Sequence, residues 1–192
     1  MAAPIWWQAT TQPKTSGALM PKWTRHSATV GAGDFSLAFL GRLSEGVYDY
    51  EREYAQNHRG DVWGLRSGDP STRFVVYGAD GQIFRDPMAG IMSALGKSPA
   101  AAQNFFSGGD HVTIKVDGAD VEVWERLSYM LVGRDGPATS DAAIGSAVES
   151  ATTRLRNKNG TGRISAELAA QTFALVGQET HSGGGLPDGM RR

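Results

Sequence analysis

"HVTIKVDGADVEVW" runs from His111 to Trp124 and carries the clearest structural pattern in the chain. Asp117-Gly118 is a residue pair suited to a two-residue type I′ turn, in which both central positions need positive φ. Apolar and polar residues alternate strictly on either side. A two-residue loop sets Val116 opposite Ala119, Ile114 opposite Val121 and Val112 opposite Val123. These six share one face, while Thr113, Lys115, Asp120 and Glu122 share the other. A slip of one residue would turn every apolar side chain to solvent, so burial and turn chemistry demand the same register. The stretch predicts a hairpin with strands at about 111–116 and 119–124.

Helical patterns lie on both sides of it. Upstream, Asp86-Pro87 is a helix start, because Asp caps free amides and Pro suits the first turn. Met88, Ile91, Met92 and Leu95 follow as an inward stripe, with Gly96 placed as a left-handed C-terminal residue. Ser98-Pro99 repeats the start signal for "AAAQNFF". Further upstream, Asp34 reads as the cap of "DFSLAFLGRLSEG", with Phe35, Ala38, Phe39 and Leu43 on one face. Gly46 is a stop or kink before "VYDYEREYAQNH", whose Val47, Tyr50 and Tyr54 align. Residues 57–85 read as irregular, with a turn at 78–81 and "RFVVY" as at most one short strand. Downstream, "EVWERLSYMLVG" points Trp124, Leu127 and Leu131 inward. "SDAAIGSAVESATTRL" follows, capped by Ser140 or Asp141. Ser165 caps the last helix, which turns Leu168, Thr172, Phe173 and Val176 to the core. The fold class is therefore α+β and mainly helical, with five to seven short helices around one β-hairpin.

Composition narrows the function classes. With 19 Lys plus Arg against 20 Asp plus Glu, no net basic field exists to drive nucleic-acid binding. The chain has 0 Cys, which removes disulfides, thiolate metal sites and Cys nucleophiles. Its start, "MAAPIWWQATTQPK", has neither the basic nor the apolar region of a secretory signal. No apolar run approaches the ~18 residues of a membrane-spanning helix. Residues 1–32 form a polar arm holding Trp6, Trp7 and Trp23, residue types that dock on a core or a partner. Residues 33–178 form the domain, and 179–192 a tail whose abrupt end at Arg192 reads as a cut boundary.

The chemical motifs fail on spacing. "GIMSALGKSP", 90–99, ends like a phosphate-binding loop, but the first Gly of that motif would fall at Ile91. A helix precedes it where a strand is required, so Lys97 and Ser98 read as a helix–helix seam. "GAGDFS" at 31–36 lacks the third Gly of a dinucleotide loop. His26, His58, His111 and His181 form no ligand-spaced pair, and no cofactor is expected. His58 with Glu53 and Asp61 is the local cluster that a small hydrolase would use, and a polar loop edge is its plainer reading. Tyr48, Tyr50 and Tyr54 could form a carbohydrate platform or an edge of the core.

From "RDPMAGIMSALGKSPAAAQNFF" through "VTIKVDGADVEVWERLSYMLVGRDG", "SDAAIGSAVESATT" and "ISAELAAQTFALVG", the chain resembles an actinobacterial family. That family is a domain of unknown function in large secreted proteins, near helical-hairpin WXG-type or polymorphic-toxin modules. "GDFSLAFLGRLSEGVYDYERE" looks like its first helix pair, so coverage is roughly 33–178. The matching motifs are core and capping motifs, and no catalytic residue carries over. The resemblance implies secretion without a classical signal peptide and a non-catalytic scaffold or delivery role. Its protein partner would be a downstream module or a neighbouring subunit, met through Trp6, Trp7 or Trp23. Two alternatives stay open: a structural protein of a phage or injection particle, and the small hydrolase.

Overall fold

The computed structural model describes residues 35–58, 76–77, 83–84, 86–134, 140–157 and 160–181. Its elements are α1 (Leu37–His58), β1 (Val76–Tyr77), β2 (Ile83–Phe84), α2 (Pro87–Lys97), α3 (Pro99–Phe106), β3 (His111–Val116) and β4 (Ala119–Trp124). They continue as α4 (Glu125–Ser128), a π-helical turn (Tyr129–Gly133), α5 (Asp141–Thr153) and α6 (Thr161–His181). The fold is α+β and mainly helical. Two of the helices are long, with 22 residues in α1 and 21 in α6.

β3 and β4 pair antiparallel in the register expected, from Val116↔Ala119 to His111↔Trp124. Asp117 has φ 50 and Gly118 φ 82, the two left-handed residues of the turn. Lys115 and Asp120 face each other across the polar side, joined at 2.5 Å. The apolar side is covered unevenly: Val123 is fully buried, Val112, Ile114 and Val121 pack against the core half-buried, and Ala119 at the tip is exposed. α6 packs along both strands, and its Gln171 side-chain carbonyl accepts the Trp124 N–H at 2.9 Å. A second, minimal ladder joins Val76 to Phe84 and Tyr77 to Ile83. The expected turn at 78–81 and the Asp34 cap lie outside the described residues.

α2 obeys its start signal. The Asp86 carboxylate accepts the Met88 N–H at 2.9 Å, and Met88, Ile91, Met92 and Leu95 are fully buried. Its expected ending is corrected, because among the described residues the left-handed glycines are Gly109, Gly118 and Gly160, and Gly96 lies within the helix. The Ser98 N–H bonds to the Leu95 carbonyl at 2.9 Å to close the turn. Gly96 serves close approach instead, since a Cβ there would stand 2.6 Å from Ser146 Oγ on α5. Gly96→Ala is therefore expected to lose about 1 kcal/mol, overcrowding at the seam outweighing the better helix propensity of Ala. Adding Ser146→Ala should return most of that loss, a non-additivity that a double-mutant cycle in urea measures.

Other helix readings need correction. α1 runs unbroken through Gly46. Its buried stripe is Leu40, Ser44, Val47, Tyr48 and Glu51, while Phe35 and Ala38 are exposed and Phe39 and Leu43 half-buried. Ser140 sits at the start of α5 without capping it. Ser165 lies one turn inside α6 and donates to the Ala151 carbonyl at 2.9 Å. On α6 the inward residues are Ser165, Leu168, Gln171 and Leu175. Phe173, expected inside, is 77% exposed. At 100° per residue it stands ~140° around the helix from Leu168. α6 continues to His181, beyond the domain end expected at 178. No helix of the described residues is long and apolar enough to cross a membrane.

Candidate functional site

The densest polar chemistry is inside the molecule. Arg134 leaves the π-helical turn and points inward, its side chain 2% exposed. Its Nη1 and Nη2 donate to the two oxygens of Asp86 at 2.8 and 2.7 Å, a bidentate pair. Its Nε donates to Glu51 Oε1 on α1 at 2.8 Å. Asp86 also takes the Ser140 hydroxyl at 2.5 Å, besides the Met88 amide. One guanidinium thus joins α1 to the starts of α2 and α5. Burial opposes the Arg134 charge, but Asp86 and Glu51 outweigh it and raise its pKa. Burial pushes the Glu51 carboxyl up, with Arg134 pulling the other way.

An aromatic cluster lies alongside. The Tyr48 ring meets Phe105 and Tyr129 edge-on, with centroids 6.0 and 5.6 Å apart. The Arg52 guanidinium lies 4.7 Å from the Tyr129 ring centre and bonds Glu125 at 2.8 Å. Arg126 covers Tyr48 and Phe105 at 5.3 and 5.6 Å. Burial pushes the Tyr48 hydroxyl up to about 12, with Glu125 adding to the rise. Tyr48 and Tyr129 are buried, which fits a core edge; Tyr50 and Tyr54, half-buried on the same helix, stack at 5.8 Å.

A third node is neutral. Gln103 Nε2 reaches the Thr161 carbonyl at 3.0 Å, Ser165 Oγ at 2.6 Å and the Ala151 carbonyl at 3.1 Å, tying α3 to α5 and α6. The Arg134 and Gln103 nodes turn their donors inward, so their chemistry is to fix helices relative to one another.

Most of the residues that sequence reasoning singled out fall outside those described. Trp6, Trp7, Trp23, His26 and Asp61 lie outside the described residues, as do the side chains of His58 and His181. His111 is exposed and lies against Trp124, with ring centroids 3.7 Å apart. Lys97 and Ser98 lie at the seam between α2 and α3, the place expected for them. Among the described residues, no group of three His, Asp or Glu could hold a metal ion. Arg134 and Glu51 were missed. The signal for Glu51 was its spacing from Leu40, Ser44 and Val47; Arg134 follows an apolar run with no periodic cue.

A further feature lies on the outward side of α6. Ala166, Ala170, Phe173 and Gly177 are all exposed and follow one another at spacings of four, three and four. They form one stripe free of charge, with Phe173 at its centre. No protein-family model, curated protein or solved structure matches the chain.

Proposed function

We propose that the domain is a non-catalytic protein-binding module, a scaffold or delivery unit of a larger secreted, toxin-like protein. The observation that carries this reading is Phe173, 77% exposed at the centre of an uncharged helix stripe. A large aromatic anchor on a rigid helix is the usual centre of an interface, where a few such side chains supply most of the binding energy. The internal nodes support it as well, because they spend their polar groups on holding helices in place. The core motifs that resemble the actinobacterial secreted family supply the export half of the proposal.

Export of the full-length gene product into the medium of a secretion-competent host tests that half, and a native product confined to the cytosol overturns it. The binding half is tested by Phe173→Glu. This exposed change should shift stability by no more than ~0.5 kcal/mol and should abolish association with the downstream module in sedimentation. Unchanged association sinks the interface. The aromatic arm is part of the same reading: deleting residues 2–24 is expected to reduce the number of chains per particle in solution, and an unchanged oligomer with a lowered melting temperature limits Trp6, Trp7 and Trp23 to their own domain.

A further inference from the structure

Charge at the Arg134 node does not balance. Two carboxylates, Asp86 and Glu51, face one guanidinium, and all three side chains are only 2–3% exposed. The donors are shared unequally. Asp86 collects both Nη groups, the Met88 amide and the Ser140 hydroxyl, and it lies at the positive end of α2. Glu51 receives Nε through Oε1 and has the Tyr129 hydroxyl beside it as its one further donor, while its Oε2 is buried without a partner in hydrogen-bond geometry. The charged and titratable groups that bear on Glu51 are Arg134, Asp86 and the Tyr129 hydroxyl. Arg52, next in sequence, is turned to Tyr129 and Glu125. A buried charge without compensation is costly, and a proton is the simplest remedy.

We propose that Glu51 carries a proton in the folded protein at neutral pH, so that α1 is latched to α2 and α5 by a carboxylic acid and loosens as pH rises. The proton sits on Oε2, the oxygen without a partner, and leaves Oε1 to accept Arg134 Nε. Burial, with the Asp86 charge adding to it, favours the protonated form, and Arg134 and a hydrogen bond from the Tyr129 hydroxyl oppose it. The sign follows by linkage. In the unfolded chain Glu51 ionises near its ordinary value of 4.5, whereas in the fold it ionises higher. Between those two values the folded state binds the extra proton, so the stabilisation is complete below the lower one. It is lost as pH rises to the upper one, the folded-to-unfolded ratio falling by at most about tenfold per pH unit.

The experiment compares the full chain with Glu51→Gln, which keeps the volume and an acceptor for Nε but has no proton to lose. Urea midpoints from pH 5.5 to 9 should fall for the wild type relative to the variant. The variant should be the more stable of the two at the alkaline end. Parallel profiles overturn the proposal. Should the variant fail to fold, carboxyl ¹³C NMR of Glu-labelled wild type decides. A buried Glu resonance still protonated at pH 7 supports the latch, and every Glu ionised at that pH ends it.

Discussion

Arg134→Met is expected to cost roughly 3–5 kcal/mol, because it leaves the buried Asp86 carboxylate without its cation and Glu51 without its donor. Against a total stability of ~5–15 kcal/mol for an ordinary domain, that is enough to unfold much of the population. Methionine replaces the aliphatic stem, so lost packing contributes little. The loss is in three hydrogen bonds, at 2.7, 2.8 and 2.8 Å, to two separate elements. Arg134→Lys should fall between the two, since an ammonium restores charge but cannot reach both carboxylates with a planar fork. Urea unfolding of the three proteins at pH 5 and 7 gives the order. A Met variant within 1 kcal/mol of wild type would show that the node is ornamental.

This node also marks where sequence reading stops. Asp86-Pro87 was legible as a cap because its signal is local, a carboxylate two residues from the amide it accepts. The hairpin was legible for the same reason, turn chemistry and alternation lying within fourteen consecutive residues. Arg134 and Glu51 lie 83 positions apart, and neither declares its partner locally. The same limit moved the stripe of α1. An apolar count follows Phe35, Ala38, Phe39 and Leu43, whereas the buried line passes through Ser44 and Glu51, polar residues whose bonds permit burial. Gly96 was misread because a glycine near a helix end suits two physical needs, positive φ and close approach. Only the position of Ser146 on α5 distinguishes them. Phe173 was misread in the opposite sense. Apolar residues border α6 on more than one side, and periodicity alone does not say which side meets the core. Of the hydrolase cluster only Glu53 has a described side chain, exposed on α1, and the aromatic arm lies wholly outside the described residues, so the legible part of the site is its framework.

Gln103→Glu is the second large expected effect, and it turns on two atoms. The Gln103 amide is 2% exposed and faces acceptors: the Thr161 carbonyl, the Ala151 carbonyl and Ser165 Oγ. Ser165 spends its own proton on the Ala151 carbonyl, so it cannot answer a second acceptor without breaking that bond. A carboxylate in place of the amide brings no donor and adds a charge facing two carbonyl oxygens. The loss should reach about 3–5 kcal/mol, the cost of an uncompensated buried charge. Gln103→Met removes the donor without adding charge, so it should lose only about 1–3 kcal/mol for the unmet Thr161 carbonyl. pH separates the two mechanisms. The introduced acid would ionise at a higher pH in the fold than in the unfolded chain, so the Glu variant should lose further stability as pH rises from 5 to 8. The Met variant should keep a constant offset from wild type. Thermal melts at both ends of that range, read as differences from wild type, make the comparison. Equal and pH-independent losses in the two variants would mean that side-chain shape, and not the direction of its hydrogen bonds, holds α3 against α5 and α6.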